Sequence, residues 1–340
     1  MIRAMKGRES DAPGAAPLLT VAVPTYNRAP YLDLCLSRIA VQLKGREDQV
    51  ELIVANNCST DGTDAVVEKH LAVGVPIRYL RHERNIGPDA NFTACFRAAR
   101  GKYVLIFSDD DVLLDRALET ILEALEEEYG VVYLKSHPYL SDYIAERPKR
   151  QPPGRPPKLV RYDDTMEYVK RINVMFGFIS GNVVNKSLVD GDLDIDGFVG
   201  TGLVHLSWTF SALFKARRNL YIDTLMLAAK AENTGFALCE VFGVNLNRIF
   251  DVFAGRGVDP RYFQAINRRI LRNFFPGNII KIRENPGGFS RGNHYDILHP
   301  VFKSYPCFWL ATYPAIVLPV PLAKAWRKVC KKYFKIFRMI

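Results

Sequence analysis

From residue 18 the chain alternates two patterns. Short runs are apolar at nearly every position, and longer stretches return an apolar residue every three or four positions. The first pattern marks strands buried on both faces, the second amphipathic helices. Leu18 to Val23, Glu51 to Ala55, Ile77 to Leu80, Tyr103 to Phe107 and Val131 to Leu134 read as strands. Helices are expected at Pro30 to Gln42, Thr60 to Leu71, Pro88 to Arg100 and about Arg116 to Glu128. Pro30 suits a first turn, and Tyr31, Leu34, Cys35 and Ile39 are placed on its apolar face. Strand–helix alternation predicts an α/β fold, a Rossmann-like, mostly parallel central sheet flanked by helices.

The run Tyr103 to Phe107 stops at three consecutive carboxylates, Asp109, Asp110 and Asp111. Three adjacent like charges at a strand's carboxyl end repel one another unless a cation sits among them. Hard oxygen donors of this kind suit Mg²⁺ or Mn²⁺, and carboxyl ends of strands are where open α/β sheets bind ligands. The plainer reading is an acidic loop that also starts the helix beyond Asp115.

Three other polar loops leave the same sheet edge: Pro24-Thr25-Tyr26-Asn27-Arg28, Asn56 to Thr63, and Arg81 to Asn91. Backbone amides, Thr25 and Arg28 can hold a diphosphate. Asn56, Asn57 and Asp61 can read a base edge or a ribose. Taken singly, such loops are ordinary turn chemistry, and Asn27, Asn56 and Asn85 alone are turn formers. A dinucleotide fingerprint and a phosphate-loop Gly-Lys-Ser/Thr are both absent, which argues against a dehydrogenase and a P-loop NTPase.

The residues Val-Pro-Thr-Tyr-Asn-Arg at 23–28, the Asn-rich loop 56–63, Arg84-Asn85-x-Gly87 with Asn91, and Ser-Asp-Asp-Asp at 108–111 resemble the family 2 glycosyltransferases, with the GT-A fold. The match covers roughly residues 18–135. The triple Asp with Phe-Ile-Ser-Gly-Asn-Val-Val-Asn at 178–185 is similar to the abequosyltransferase-type enzymes of O-antigen assembly. The resemblance implies a nucleotide-sugar donor and an inverting displacement. Pro24, Thr25, Tyr26 and Arg28 then border the nucleotide, with Arg84, Asn85, Gly87 and Asn91 in its motif. Asn56 stands where many relatives carry a base-contacting Asp. Asp109 faces the ribose, and Asp110 or Asp111 holds the metal; spacing alone leaves open which two of the three bind it.

The resemblance places the acceptor beside Ser180, Gly181 and Asn182, with Trp208 nearby; a buried turn explains the first three almost as well. An inverting transfer needs a base. Many relatives have a Glu-Asp pair at the start of the next helix, and this chain has Gly200 to Trp208 there instead. His205 is the candidate by position and ordinary pKa, Asp194 and Asp196 are its rivals, and a lone His in an apolar helix also serves packing.

The expected division is a disordered 1–17, a glycosyltransferase domain 18–227 (donor half 18–135, acceptor half 136–227), a helical region 228–300, and an aromatic, basic C-terminus 301–340. The N-terminus lacks a signal peptide's apolar core, and Pro138 to Pro157 is expected as a mobile loop. Further helices are expected at Asp163 to Met175, Glu240 to Phe253 and Pro260 to Arg283, with strands at Phe178 to Asn185 and Asn219 to Leu225. Ser304 to Ala323 carries no charge and is long enough to span a bilayer, but Pro306, Pro314, Pro319 and Pro321 oppose one regular helix. Lys324 to Arg338 follows as an amphipathic stretch, with Trp326, Val329, Cys330, Tyr333 and Phe337 opposite seven cations. Such a helix lies in the headgroup region of an anionic leaflet; docked on the core, it would instead show a solvated basic face.

A hydrophobic share of 48% and a charged share of 24% are those of a folded protein. The net charge of +10 calls for an anionic partner, and the triple Asp disfavours nucleic acid at the main cleft. The six scattered cysteines read as reduced cytosolic thiols. The expectation is an inverting, metal-dependent glycosyltransferase, peripheral or monotopic at the cytoplasmic face of a bacterial plasma membrane. It moves a sugar to a lipid-diphosphate-linked oligosaccharide. The alternatives are a sugar-phosphate nucleotidyltransferase, whose glycine-rich first loop is not seen, and a non-catalytic membrane or nucleotide binder.

Overall fold

The computed structural model describes residues 2–5, 16–149, 156–231, 237–285 and 292–336. The chain divides into two compact units: Met1–Tyr168 with Phe176–Val199 and Val204–Glu232, and Val169–Met175 with Gly200–Leu203 and Asn233–Ile340.

The first unit is built on one sheet. Its strands are β1 (Ile2–Met5), β2 (Leu19–Thr25), β3 (Val50–Asn56), β4 (Ile77–His82), β5 (Tyr103–Ile106), β6 (Val112–Leu113), β7 (Val131–Tyr139), β8 (Leu159–Tyr162), β9 (Asn182–Asn185) and β10 (Asn219–Lys230). Helices α1 (Ala29–Leu43), α2 (Thr63–Ala72) and α3 (Pro88–Ala98) connect the first strands, α4 (Ala117–Ala124) follows the acidic loop, and α6 (His205–Lys215) precedes β10. The strand order is β1-β4-β3-β2-β5-β9-β7-β10-β6, with β8 on β10. The run β4-β3-β2-β5 is parallel, as is β7 with β10. β9 lies antiparallel between β5 and β7, and β1, β6 and β8 add antiparallel pairs at the margins.

Every residue of β2 is buried, as expected for a central parallel strand covered on both faces. The face that α1 buries is Leu32, Cys35, Leu36, Ile39 and Leu43. Tyr31 and Leu34, assigned to that face from the sequence, are exposed; the buried stripe is rotated by one residue because Leu32 and Leu36 lie one turn apart beneath the sheet. At Gly101 the chain crosses β2 so closely that a Cβ would stand 2.6 Å from the Thr20 amide nitrogen.

Residues Ile2–Met5, within the stretch expected to be disordered, form a strand paired with β4; residues 1 and 6–15 lie outside the described residues. The loop expected from Pro138 begins two residues later, because β7 runs to Tyr139. Beyond it, Glu146 accepts backbone hydrogen bonds from Leu140, Ser141 and Asp142. Residues 150–155 of that loop lie outside the described residues.

The second unit is helical: α7 (Leu246–Gly255), α8 (Pro260–Arg269), α9 (Phe275–Glu284), α10 (His294–Phe302), α11 (Tyr313–Val317) and α12 (Val320–Ile336). Between the two units' divisions of the chain, α5 (Thr165–Ile172) contributes residues to each. The single helix expected from Pro260 to Arg283 is interrupted by a wide turn at Ile270–Phe274, after which Pro276 opens α9. Aromatic rings fill this unit's interior: Phe250 stacks on Phe263 with centroids 4.6 Å apart, and Phe275 meets Phe302 edge-on. The two segments expected separately, 228–300 and 301–340, fall from residue 233 onward in one unit. No helix among the described residues is long and apolar enough to cross a membrane.

Candidate active site

After β4 the chain returns to the far side of β2 to form β5, so strand order reverses between β2 and β5. In open α/β sheets this switch point opens a crevice beyond the carboxyl ends of the two strands. The loops that leave those ends are 24–28 and 107–111, and they are joined by direct bonds. Thr25 Oγ1 donates to Asp109 Oδ2 at 2.7 Å. Arg28 Nη1 donates to Asp109 Oδ1 at 3.2 Å and to Asp110 Oδ2 at 2.8 Å.

The acidic loop is held along its length. The Ser108 amide donates to Ser180 Oγ, and the Ser108 hydroxyl to Asp110 Oδ1 at 2.7 Å. Tyr139 OH donates to the Asp110 carbonyl at 2.7 Å, and the Lys230 amide to Asp111 Oδ1 at 2.9 Å. Short β6, pairing with β10, fixes the loop's exit. A loop that begins on β5 and ends against β10 therefore has little freedom to relieve its charge repulsion by moving apart.

All three carboxylates are buried, at 3%, 6% and 3% exposure for Asp109, Asp110 and Asp111. Burial pushes Asp109 up to about 6, against the pull of the Thr25 hydroxyl and Arg28. Burial and then the Asp110 charge push Asp111 up to about 7. Burial opposes the Arg28 charge, but Asp109 and Asp110 outweigh it and raise its pKa. Asp111 Oδ2 is buried with no hydrogen-bond partner among the described residues; the Ser180 hydroxyl weighs on its titration from outside hydrogen-bonding geometry. An orphaned anionic oxygen on a hard-donor loop fits a divalent cation. No group of three metal-ligating His, Cys, Asp or Glu side chains occurs among the described residues, so a cation here would draw on fewer than three of them. Both oxygens of Asp109 and both of Asp110 take part in hydrogen bonds, so Asp111 Oδ2 is the oxygen of the three side chains left over.

Several residues expected to touch the nucleotide are spent on holding the loops. Asn56 is fully buried; its amide donates to Tyr79 OH and Asp64, and its oxygen accepts from the Ser59 amide. Asn57 donates to Asn85 Oδ1 and accepts from the Ile86 amide. Asn91 bridges His82 and the Ala55 carbonyl. Asp61 accepts from the Ala29 and Thr63 amides at the starts of α1 and α2. Asn85 also accepts from Gly87, whose φ of +85° starts α3 in a conformation side chains resist. These bonds share one cause: a crevice rim made of turns engages its own Asn and Asp side chains. Pro24 is buried as the β2 partner of Ala55. Tyr26 and Arg84 are exposed, and Arg84 has no bond among the described residues.

The expected acceptor side is buried as well. Ser180 is 0% exposed, Asn182 donates to the Phe176 and Phe178 carbonyls, and a Cβ on Gly181 would stand 2.9 Å from the Tyr133 ring. Trp208 stacks on Phe96 with centroids 4.4 Å apart. Of the candidate bases, Asp196 pairs with Arg97 in the last turn of α3. Asp194, two residues away, is exposed on the same segment.

His205 opens α6 and is buried. Its Nε2 meets the Phe176 carbonyl at 3.1 Å, so that nitrogen carries the proton, while Nδ1 is buried without a partner among the described residues. Burial lowers its pKa to about 4. In the unfolded chain the imidazole takes up its proton near 6.5, so the unfolded state binds more protons between pH 4 and 6.5 and stability falls with pH there, by about 3 kcal/mol. Asp109 and Asp111, raised instead, act with the opposite sign in the same range. His205→Gln is therefore expected to flatten the acid side of the unfolding profile relative to wild type; the same shift of denaturation midpoint between pH 7.5 and 5 in both proteins would contradict the buried neutral imidazole.

Lys230 was missed because the last strand was ended at Leu225. It runs on through Met226-Leu227-Ala228-Ala229, an apolar continuation visible in the sequence. Besides bonding Asp111 through its amide, Lys230 lays its ammonium over the Tyr139 ring at 5.1 Å and the Tyr31 ring at 5.7 Å. Exposed Tyr31 thereby finds a place beside the acidic loop.

Known proteins bear on this arrangement. The Glycosyl transferase family 2 model matches residues 20–190, half of the chain. Abequosyltransferase RfbV of Salmonella typhimurium is 29% identical over 231 residues, 64% of this chain and 68% of that protein. The GalNAc(5)-diNAcBac-PP-undecaprenol beta-1,3-glucosyltransferase of Campylobacter jejuni is 33% identical over 118 residues, 34% of this chain and 37% of its own length. The match to that relative thus spans little more than a third of it. The crystal structure of S. aureus TarS 1-349 shares the fold, with a TM-score of 0.59 at 18% identity over 93% of this chain and 91% of that one. With the acidic loop at the switch point of the sheet, these matches establish that the chain belongs to glycosyl transferase family 2 and is a glycosyltransferase.

Proposed function

We propose that the crevice between β2 and β5 takes a nucleotide-sugar with a divalent ion and passes the sugar, with inversion, to a lipid-linked glycan in bacterial surface polysaccharide synthesis. The observation that carries this is the buried carboxylate set Asp109, Asp110 and Asp111, in which Asp111 keeps an oxygen with no hydrogen-bond partner among the described residues. Asp110 and Asp111 would hold Mg²⁺ or Mn²⁺, which when bound supplies Lewis-acid stabilisation of the departing diphosphate. Arg28 and Lys230 supply fixed positive charge beside the same loop. In the displacement the acceptor hydroxyl forms a new bond to the anomeric carbon as the bond from that carbon to the diphosphate breaks. The hydroxyl proton passes to a base, for which His205 at the start of α6, neutral and with no partner for Nδ1 among the described residues, is the candidate.

A structure of TarS 1-349 was determined with UDP-GlcNAc, which supports a nucleotide-sugar as the ligand class. The Campylobacter relative's name carries an undecaprenol diphosphate, which supports a lipid-linked acceptor here.

A thermal-shift screen of nucleoside diphosphates with and without Mn²⁺ tests the donor half. Stabilisation is expected only with nucleotide and metal together. It should grow as pH rises from about 5.5 to 8, because Asp111 releases its proton near 7 and only the carboxylate binds a cation. No response to any nucleotide at pH 8 would remove the transferase reading's support; a response that falls with pH would remove the metal from it.

A further inference from the structure

We infer that the exposed apolar stripe of α12, formed by Leu322, Trp326, Val329 and Tyr333, is a docking face for an anionic lipid bilayer surface. At 100° per residue the helix presents three faces. Ala323, Cys330 and Phe334 form the face buried in the second unit, where Cys330 and Phe334 cluster with Ala311 and Phe334 lies under the Arg272 guanidinium. About a quarter-turn away lie Leu322, Trp326, Val329 and Tyr333, at spacings of four, three and four residues. Their exposures are 57%, 38%, 57% and 46%. The remaining arc is cationic, with Lys328, Lys331, Lys332 and Lys335 all exposed.

The helix therefore satisfies its packing with one face and still leaves an apolar row in water. The amphipathic face expected from sequence mixed the two, since Cys330 belongs to the buried side; Phe337 and Arg338 lie outside the described residues. The Trp326 indole N–H is already bonded to the Leu310 carbonyl at 2.8 Å. Its ring can thus enter an apolar medium without orphaning a donor. Leu310, whose carbonyl receives that bond, is itself exposed and widens the row.

Charge selects the occupant. Lys332 flanks the row and Lys328 follows it, about 60° and 100° around the helix from Val329, with Lys335 and Lys331 behind them, so a protein partner or a second copy covering the row would meet a cationic flank that it must pair. An anionic leaflet takes the row into its acyl boundary and leaves the ammonium groups among the phosphates on their flexible stems. This docking rests on the helix alone and does not depend on the transferase reading.

The test is co-sedimentation of the full-length protein with vesicles of phosphatidylethanolamine and phosphatidylglycerol, and with vesicles of phosphatidylcholine alone. Neither contains a sugar acceptor, so failure here leaves the donor screen untouched. Wild type is expected to bind the anionic vesicles and to leave the neutral ones largely unbound. Lys328→Gln with Lys332→Gln, both at exposed positions on the flank of the row, should weaken binding roughly thirtyfold, from the worth of two cations near an anionic leaflet. Trp326→Ser with Val329→Ser should weaken it at least tenfold, circular dichroism confirming the fold. Equal binding by wild type and both variants, no binding by wild type, or concentration-dependent dimerisation that the Trp326/Val329 variant abolishes would overturn the proposal.

Discussion

Asp111→Asn is expected to lower kcat/KM by roughly two to three orders of magnitude, the scale on which removal of one electrostatic stabiliser is felt. The carboxamide keeps an oxygen for the Lys230 amide and removes only the charge, so the loss reports on the cation that the charge would hold. The same change is expected to stabilise the apoprotein. A carboxyl whose pKa is raised from 3.8 to about 7 contributes stability that is present below pH 3.8 and lost as pH rises through 7. At pH 8 the ionised wild-type side chain therefore costs on the order of a few kcal/mol, which the neutral amide avoids. Transfer assays with a metal titration, run beside denaturant unfolding at pH 8 without metal, give both readouts. A variant as active as wild type, with unchanged metal dependence, would remove Asp111 from the site. A variant both inactive and less stable would make its role structural.

Trp208→Ala is expected to destabilise the first unit by about 3–5 kcal/mol, the cost of emptying a large buried aromatic site. Trp208 is 2% exposed and lies flat on Phe96, so α6 loses its principal contact with α3. The two-unit chain need not unfold in one step, so the relevant observable is the transition of the sheet unit, followed by near-ultraviolet circular dichroism of its aromatic rings. The fraction that remains folded is expected to keep its acceptor KM within about threefold, under 1 kcal/mol by the affinity scale. A stable variant with a greatly raised acceptor KM would return Trp208 to the acceptor wall, where its position in the sequence first placed it.

How the site residues divide follows from what one dimension records. The acidic triplet after an apolar run, Thr25 and Arg28 after another, and the strand–helix alternation are local facts, and each survives folding unchanged. The roles of Asn56, Asn57, Asn85 and Asn91 are not local. Polar side chains on neighbouring turns compete for one another as well as for ligand, and Asn56 is bonded by Asp64 from the first turn of α2 and by Tyr79, which reaches it only once β3 and β4 pair. Trp208 and His205 were ambiguous for a similar reason, since an apolar helix reads alike whether it lines a cleft or fills a core.

The order of strands and helices, the place of the carboxylates at a strand end and the cationic character of the C-terminal helix were determined by sequence alone, because periodicity and charge are written residue by residue. Tertiary structure decided which carboxylate is left without a partner, that Lys230 reaches the acidic loop, and which of two apolar faces α12 keeps outside. Each of these depends on what arrives from elsewhere in the chain to satisfy a group, and that is a property of packing.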